Sequence, residues 1–381
     1  MNRARLWRLY GVIVKEFRQM RRDMISLSVL LLVPALLLAL YGYALTFDVK
    51  HIRVVVLNHD KGAFSRQFTE GLFQSEYFDF AGTIDREAEA TRWLDRGDAL
   101  AVLVFPPDFG KALRDGRTAT AQVLIDGSNA NTASIALAYF TAKAREFSAA
   151  QLQEFTLARG ITQPAVPVVI EPRVWYNAEL KSSQLLVPGL IGYLLMLAGT
   201  VATSLSVVRE KERGTIEQVV VSPLGSGEFI LGKTIPYLAV SLLTSGLVVA
   251  AGMVLFEMPL RGSIAWLFVT TFVFLLGALG LGLWVSTLVD TQQLALQISL
   301  IITLLPALLL SGMVFPIASM PRALQWASAI VPPRHFLVIM RSILLKGTGP
   351  QAWLAELGYL IAFAVFILGI AVVRTRHRSE A

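Results

Sequence analysis

The sequence predicts an α-helical polytopic membrane protein of six transmembrane helices, with an extracytoplasmic α/β domain inserted between spans one and two. Three observations carry this. Of 381 residues 55% are hydrophobic and only 16% charged, with a mean hydropathy of +0.59, whereas globular domains carry about a quarter charged residues. Six segments supply the roughly 20 apolar residues that a helical crossing requires: Ile25–Leu45, Leu185–Val208, Ile230–Phe256, Ile264–Val289, Leu294–Phe315 and Trp353–Val373. Between the first two, from Phe47 to Lys181, strand-like and helical patterns alternate. Cysteine is absent, which removes disulfides and thiolate metal sites. The net charge of +7 does not point to nucleic acid, because the basic residues flank apolar runs and so report membrane topology.

Taken in order, residues 1–24 hold Arg3, Arg5, Arg8, Lys15, Arg18, Arg21 and Arg22. On a helical wheel Leu6, Tyr10, Ile13, Phe17 and Met20 share one face, and Arg8, Lys15, Arg18 and Arg22 the opposite one, as in a helix lying in the membrane interface. That basic helix, followed by a long apolar run, argues against a cleaved signal peptide. Residues 25–45 are span one. In residues 46–182 the runs IRVVVLN, YFDFAGT, ALAVLVF and TAQVLID read as strands. They alternate with the helical runs FSRQFTEGLF, REAEATRWLDRG, FGKALRDG and NTASIALAYFTAKAREFSAAQLQEFTL, which makes a compact α/β domain with its own core. Asp60, Asp108 and Asp126 stand where strands or loops end, the usual place for a capping or turning Asp, and Asn58, Asn129 and Asn131 read as turn residues.

Residues 183–376 hold spans two to six. Arg209, Lys211 and Arg213 follow span two, and Arg374, Arg376 and Arg378 follow span six. With the N-terminal cluster they fall on one side, which the excess of Lys and Arg makes cytoplasmic. Both termini are then cytoplasmic, residues 377–381 are a tail, and the α/β domain lies outside. Arg322, Arg334, Arg341 and Lys346 sit on the other side. Their segment, residues 316–350, is partly apolar and broken by Pro, so it reads as short outer re-entrant or interfacial helices.

Catalytic constellations are missing. None of the four His lies in H-E-x-x-H, no G-x-S-x-G elbow occurs, and His51 and His59 flank the first strand without a clear third metal ligand. GEFILGKT, Gly227 to Thr234, has the spacing of a nucleotide-phosphate loop. Its loop positions are the bulky Phe229, Ile230 and Leu231, and the chain then runs into the third apolar segment, leaving no room for the strand that carries a Mg²⁺-binding Asp. Lys233 is therefore expected at the cytoplasmic end of span three as an ordinary topological charge.

The stretch just upstream, VVREKERGTIEQVVVSPLGSGEF, is more informative. It leaves span two as a charged helix, breaks at Gly214 and restarts with Thr215-Ile216-Glu217-Gln218, a capping-box pattern. Ser222-Pro223 and a Gly-rich turn then end a short helix whose apolar side, Ile216, Val219 and Val220, suits docking into a protein groove.

The charged exit, the E-R-G-T-x-E pattern from Glu212 to Glu217 and the closing Ser222-Pro223 resemble the coupling region of type-2 ABC exporter permeases. The resemblance covers essentially the whole chain and is closest to the bacterial multidrug efflux branch with a large extracytoplasmic domain. It implies a non-catalytic permease of the cell inner membrane, dimeric with a second copy or a close homologue. No cofactor is expected in this chain; ATP and Mg²⁺ would be bound by a cytoplasmic ATPase subunit. A periplasmic adaptor protein and the lipid bilayer are further expected partners, and nucleic acid is not. Coupling falls on residues 209–227, with Arg209, Glu210, Glu212, Arg213, Gly214, Thr215, Glu217, Gln218 and Pro223 as its expected residues. Spans two and five are expected to line the dimer interface and pathway, span five offering Gln297, Ser299, Thr303 and Pro306, for amphipathic, drug-like or lipid-like cargo. Helix packing through small polar side chains is an equal reading of those four residues. The middles of spans two, four and five hold no Asp, Glu, Lys, Arg or His, which disfavours an ion-coupled secondary transporter. That transporter and a membrane-anchored receptor or scaffold acting through its outer domain remain the alternatives.

Overall fold

The computed structural model describes residues 3–44, 51–128, 130–158, 176, 181–215 and 224–380. The chain divides into two compact units, Met1–Thr46 with Arg173–Ala381, and Phe47–Pro172. Each is described by itself.

The first unit is helical. α1 (Arg3–Arg22) is followed by α2 (Met24–Ala44), and after the second unit come α7 (Ser182–Glu212), α8 (Ser226–Leu255), α9 (Ile264–Ser286) and α10 (Gln292–Leu310). Two short helices, α11 (Arg322–Ser328) and α12 (Pro332–Arg341), precede α13 (Leu354–Glu380). Among the described residues six helices are long and apolar enough to cross a membrane: α2, α7, α8, α9, α10 and α13 as far as Thr375. Pro34, Pro188, Pro236 and Pro306 lie inside four of them, as membrane helices tolerate. Span five ends earlier than its apolar run, at Leu310, because Ser311 closes the helix and Gly312 turns the chain with φ +80.

α7 is the centre of this unit. It packs against α2, α8, α9, α10 and α12. Its contact with α9 is close because the facing residues are small: Gly199 meets Ala278, and a side chain on Gly282 would fall 2.2 Å from the carbonyl oxygen of Thr200. Two hydroxyls cross the seam, Thr200 Oγ1 donating to the Ala278 carbonyl at 3.1 Å and Thr203 Oγ1 to that of Leu279 at 3.0 Å. Close backbone approach plus hydroxyl donation is how membrane helices associate where lipid is as apolar as the side chains.

The segment after α10 doubles back. α11 and the helical run Pro332–Lys346 meet at 80°, as the Pro pair at their junction demands. α12 is largely buried: Phe336 stacks on Phe274 at 4.0 Å between centroids, and His335 bonds Glu356 of α13 and the Ala329 carbonyl, the latter at 2.7 Å.

The described residues of the second unit form a four-stranded sheet with helices on both faces. β1 (Ile52–Asn58), β2 (Phe78–Thr83), β3 (Ala101–Phe105) and β4 (Gln122–Ile125) lie in the order β2-β1-β3-β4, with β1 parallel to β2 and β3, and β4 antiparallel to β3. Side-chain alternation sorts β1: Ile52, Val54 and Val56 join Phe68, Phe105 and Phe140 of one core, while Val55 and Leu57 join Ile84 and Ala90 of the other. The first core is covered by α3 (Ala63–Phe73), α5 (Phe109–Arg114) and α6 (Ala130–Ala158), the second by α4 (Glu87–Asp95). Asp60 ties two loops, accepting from the Gly62 and Gly110 N–H groups and from Ser65 Oγ at 2.9–3.1 Å. Asp126 accepts from the Ser128 N–H at 2.9 Å. Asp108 departs from its expected role: it precedes α5 but its carboxylate makes no capping bond, because its backbone (φ -99, ψ 2) is not extended as an N-cap requires. Asn129 lies outside the described residues.

Gly282→Val is expected to destabilise the helical unit by about 1–3 kcal/mol or more, the cost of overpacking a filled seam. A melt followed by size exclusion in detergent checks it; an unchanged midpoint would mean that α7 and α9 do not meet there.

Candidate functional site

α7 passes from apolar residues into Arg209-Glu210-Lys211-Glu212 without leaving the helix. Consecutive helical residues point about 100° apart, so four adjacent charges reach four directions. Each finds a partner on a neighbouring element.

Glu210 points inward and is 4% exposed. Lys233 of α8, wholly buried, sits 3.0 Å from its Oε1, 3.0 Å from Glu16 Oε1 of α1, and donates to Ser206 Oγ at 2.9 Å. Lys15 closes the group, pairing with Glu16 at 3.2 Å and with Glu210. Two cations and two carboxylates thus form a neutral cluster joining α1, α7 and α8, with Glu16, Glu210 and Lys233 buried and Lys15 exposed at its edge. Burial works against the Lys15 ammonium, but the two carboxylates outweigh it and hold the group above the usual lysine range. One oxygen each of Glu16 and Glu210 has no hydrogen-bond partner among the described residues.

Arg209 turns the other way, pairing with Asp23 between α1 and α2 at 2.8 Å and donating to Gln292 Oε1 of α10 at 3.3 Å. Ser26, and after it Arg209, keeps the Asp23 carboxyl below the ordinary carboxylate range. Lys211 caps the end of α9, donating to the Ser286 carbonyl and, at 2.9 Å, to that of Val289. Glu212 accepts from the Gln292 N–H at 2.6 Å and from its side-chain amide, at the start of α10. An ammonium on terminal carbonyls and a carboxylate on initial N–H groups are the favourable pairings with the helix dipole.

Arg213 closes α7, and Gly214, with φ +69, takes the left-handed position that ends a helix. The Thr215 hydroxyl donates back to the Glu210 carbonyl at 3.2 Å. Arg213, Gly214 and Thr215 are exposed. Glu217, Gln218 and Pro223 lie outside the described residues. Of the expected coupling residues, then, Arg209, Glu210 and Glu212 come together as grips on neighbouring helices, and the exposed three follow directly.

GEFILGKT is helical: Ser226–Leu255 is continuous, so from Phe229 onward its N–H groups bond along α8 and leave no loop to wrap a phosphate. Lys233 is not the topological charge read from the sequence. It is buried because Glu16 and Glu210 replace water around it. The residues missed by sequence reasoning are Lys15, Glu16, Ser206, Lys233, Asp23 and Gln292. A signal was present: Glu16 is the sole acidic residue of α1, and Lys233 is the sole charge between Glu228 and Glu257. A lone charge in an apolar or oppositely charged setting calls for a partner. α1 is fixed to α8 a second time, where Arg8 grips Glu228 with two bonds of 3.0 Å, and Gly232 admits Val12. Its face of Leu6, Trp7, Tyr10 and Phe17 stays exposed.

Beside this junction a cleft of about 360 Å³ runs between α2, α7 and α10. Its α10 wall is Leu296 and Leu300. Of the four span-five residues, Ser299 and Thr303 are fully buried in the unit, Pro306 is half-buried and Gln297 is exposed; none of them lines the cleft.

The sequence profile described as ABC-2 family transporter protein matches residues 24–373. The chain is similar to the probable multidrug ABC transporter permease YbhS of Escherichia coli (strain K12), at 32% identity over 375 residues, 98% of each chain. It is similar to the probable multidrug ABC transporter permease YbhR of the same organism, at 33% over 339 residues, 89% of this chain and 90% of that one. ABC transporter G family member 20 of Dictyostelium discoideum is 25% identical over 390 residues, 98% of this chain and 52% of that one.

Lys233→Met leaves the buried Glu16 and Glu210 with only the half-exposed Lys15 as a counter-charge and is expected to cost about 3–5 kcal/mol. Adding Glu16→Gln and Glu210→Gln is expected to recover much of it. Heat-inactivation midpoints in detergent measure both; a single variant as stable as the parent would show that the cluster does not hold the junction.

Proposed function

The chain belongs to the ABC-2 transporter family as an ABC exporter permease subunit, and we propose that its α7 junction delivers the work of a separate ATPase to the spans. The observation that carries this reading is the run Arg209–Glu212, whose four side chains hold α1, α8, α10 and the ends of α9 and α10. A displacement applied just beyond Gly214 cannot move α7 alone. It moves five helices, because breaking any grip exposes an unpaired charge or an uncapped helix end. Residues 216–223 are the docking element for the ATPase, Thr215 sets where that element starts, and Glu217, Gln218 and Pro223 shape its contact.

In this reading ATP and Mg²⁺ are bound by the partner, the permease works as a dimer with a second copy or a close homologue, and a periplasmic adaptor joins the outer side. The α7 junction and both termini face the cytoplasm of a bacterial inner membrane, the Phe47–Pro172 unit is the extracytoplasmic α/β domain, and residues 316–350 lie on the outer side. The basic clusters around α1, α7 and the end of α13 support that orientation. The cargo is amphipathic, drug-like or lipid-like, supported by the apolar cleft with charged residues at one end and by the multidrug permease names of the Escherichia coli relatives.

Two experiments test this. With no native cysteine, single cysteines at Asp95 and Gln218 are expected to be labelled from outside and inside respectively; labelling of position 218 from outside overturns the orientation. Thr215→Ala with Glu217→Lys is expected to leave insertion and dimerisation intact, since a lost cap costs only about 0.5–2 kcal/mol, while the co-purifying ATPase detaches and export fails. If that variant, at normal level, still exports and still stimulates the ATPase, the coupling assignment is wrong.

A further inference from the structure

The cleft beside α7 does not end blindly. Its floor is one face of α7, Leu194, Leu197, Ala198, Val201 and Leu205, and Val29, Val33 and Leu37 of α2 form the opposite side. The two alanyl and valyl positions make the room. At the α1 end it opens into a basket lined by Lys15, Arg18, Arg22, Arg209 and Arg213, with Asp23 as the sole carboxylate among the described residues of that lining and Gln19, Asp23 and Arg209 shared between the two spaces.

Lys15 belongs to the neutral cluster with Glu16, Glu210 and Lys233, and Arg209 is paired with Asp23. Arg18, Arg22 and Arg213 remain, and none of their guanidinium groups has an ion pair or hydrogen bond among the described residues. Arg18 and Arg22 stand one turn apart on α1 and so share a side. Three uncompensated guanidinium groups converge on the mouth of an apolar slot.

We propose that this slot and basket form a binding site for an anionic phospholipid of the surrounding bilayer, its phosphate on Arg18, Arg22 and Arg213 and an acyl chain along the α7 floor. The dimensions agree. Leu194 to Arg209 spans roughly 22 Å of helix at about 1.5 Å per residue, and one leaflet is about half of a ~30 Å hydrocarbon core with its headgroup layer beyond. The arginines stand where α2 begins, at headgroup depth. Arginine forks bind phosphate oxygens in pairs, and basic pockets between membrane helices select anionic headgroups. A zwitterionic lipid would bring its own cation into a basket that already holds three. The proposal goes beyond the export reading and does not depend on it, because binding is measured without an ATPase or transport.

The test uses the full-length chain in detergent, incubated with equal phosphatidylglycerol and phosphatidylcholine, and reads retained lipid by mass spectrometry. Phosphatidylglycerol is expected to be retained preferentially. The triple variant Arg18→Gln, Arg22→Gln, Arg213→Gln removes only exposed, unpaired charges, and is expected to weaken that retention by roughly fivefold per arginine, about a hundredfold in all. Ala198→Trp fills the floor and is expected to displace both lipids. Equal retention of the two lipids, or an unchanged triple variant, overturns the proposal. So does complete competition by glycerol phosphate, which has no chain to place in the slot. A loss of oligomer with unchanged lipid in Ala198→Trp also overturns it, by showing that a second copy fills the slot.

Discussion

Lys233 held between Glu16 and Glu210 is the interaction on which the helical unit is organised. Three elements far apart in sequence each contribute a charge that would be costly to bury alone, and only their meeting makes the burial tolerable. The cluster therefore acts as a register key. α1 must lie along α8 with Glu16 inward, and α7 must reach past its apolar run far enough to present Glu210. The Arg8–Glu228 pair and the entry of Val12 against Gly232 follow from that seating.

From that point the remaining charges of the α7 end read as one device. Lys211 and Glu212 satisfy the backbone ends of α9 and α10, which would otherwise be left open where the chain turns between spans. Arg209 fixes the short link between α1 and α2. Higher on the same helix, small residues and hydroxyls bind α7 to α9 with little side-chain volume between them. A helix locked at both levels transmits displacement instead of absorbing it, as an ABC-2 permease driven from one end of α7 would require.

The two spaces beside α7 follow from the same geometry. α2 and α10 both lean on α7 without closing over it, so an apolar slot remains, and the paired charges at its end leave three arginines uncommitted. The basic stripe of α1, legible from the sequence as an interfacial face, gains a specific direction once α7 brings Arg213 to it.

Much of the fold was legible because its causes are local. Apolar length marks the spans, short β-branched and aromatic runs mark the strands, and Gly214 marks the end of α7 because a left-handed turn favours glycine. Where the cause is not local, the sequence was silent or misleading. Asp108 stands in the right place for a cap but its backbone does not permit one. The spacing of GEFILGKT carries the letters of a phosphate loop, yet a continuous helix occupies its amides from Phe229 onward. Ser299 and Thr303 differ from Gln297 in burial although all are polar residues of one helix. By itself, then, the sequence determined a polytopic helical chain with an inserted α/β unit and a charged, glycine-ended extension of its second span. Only the tertiary structure decided that Lys233 is a buried partner and not an edge charge, and which helix each of Arg209, Glu210, Lys211 and Glu212 holds. The physical reason is that hydrophobic length and backbone preference act within a segment, whereas the cost of a buried charge is set by whatever distant residue comes to lie beside it.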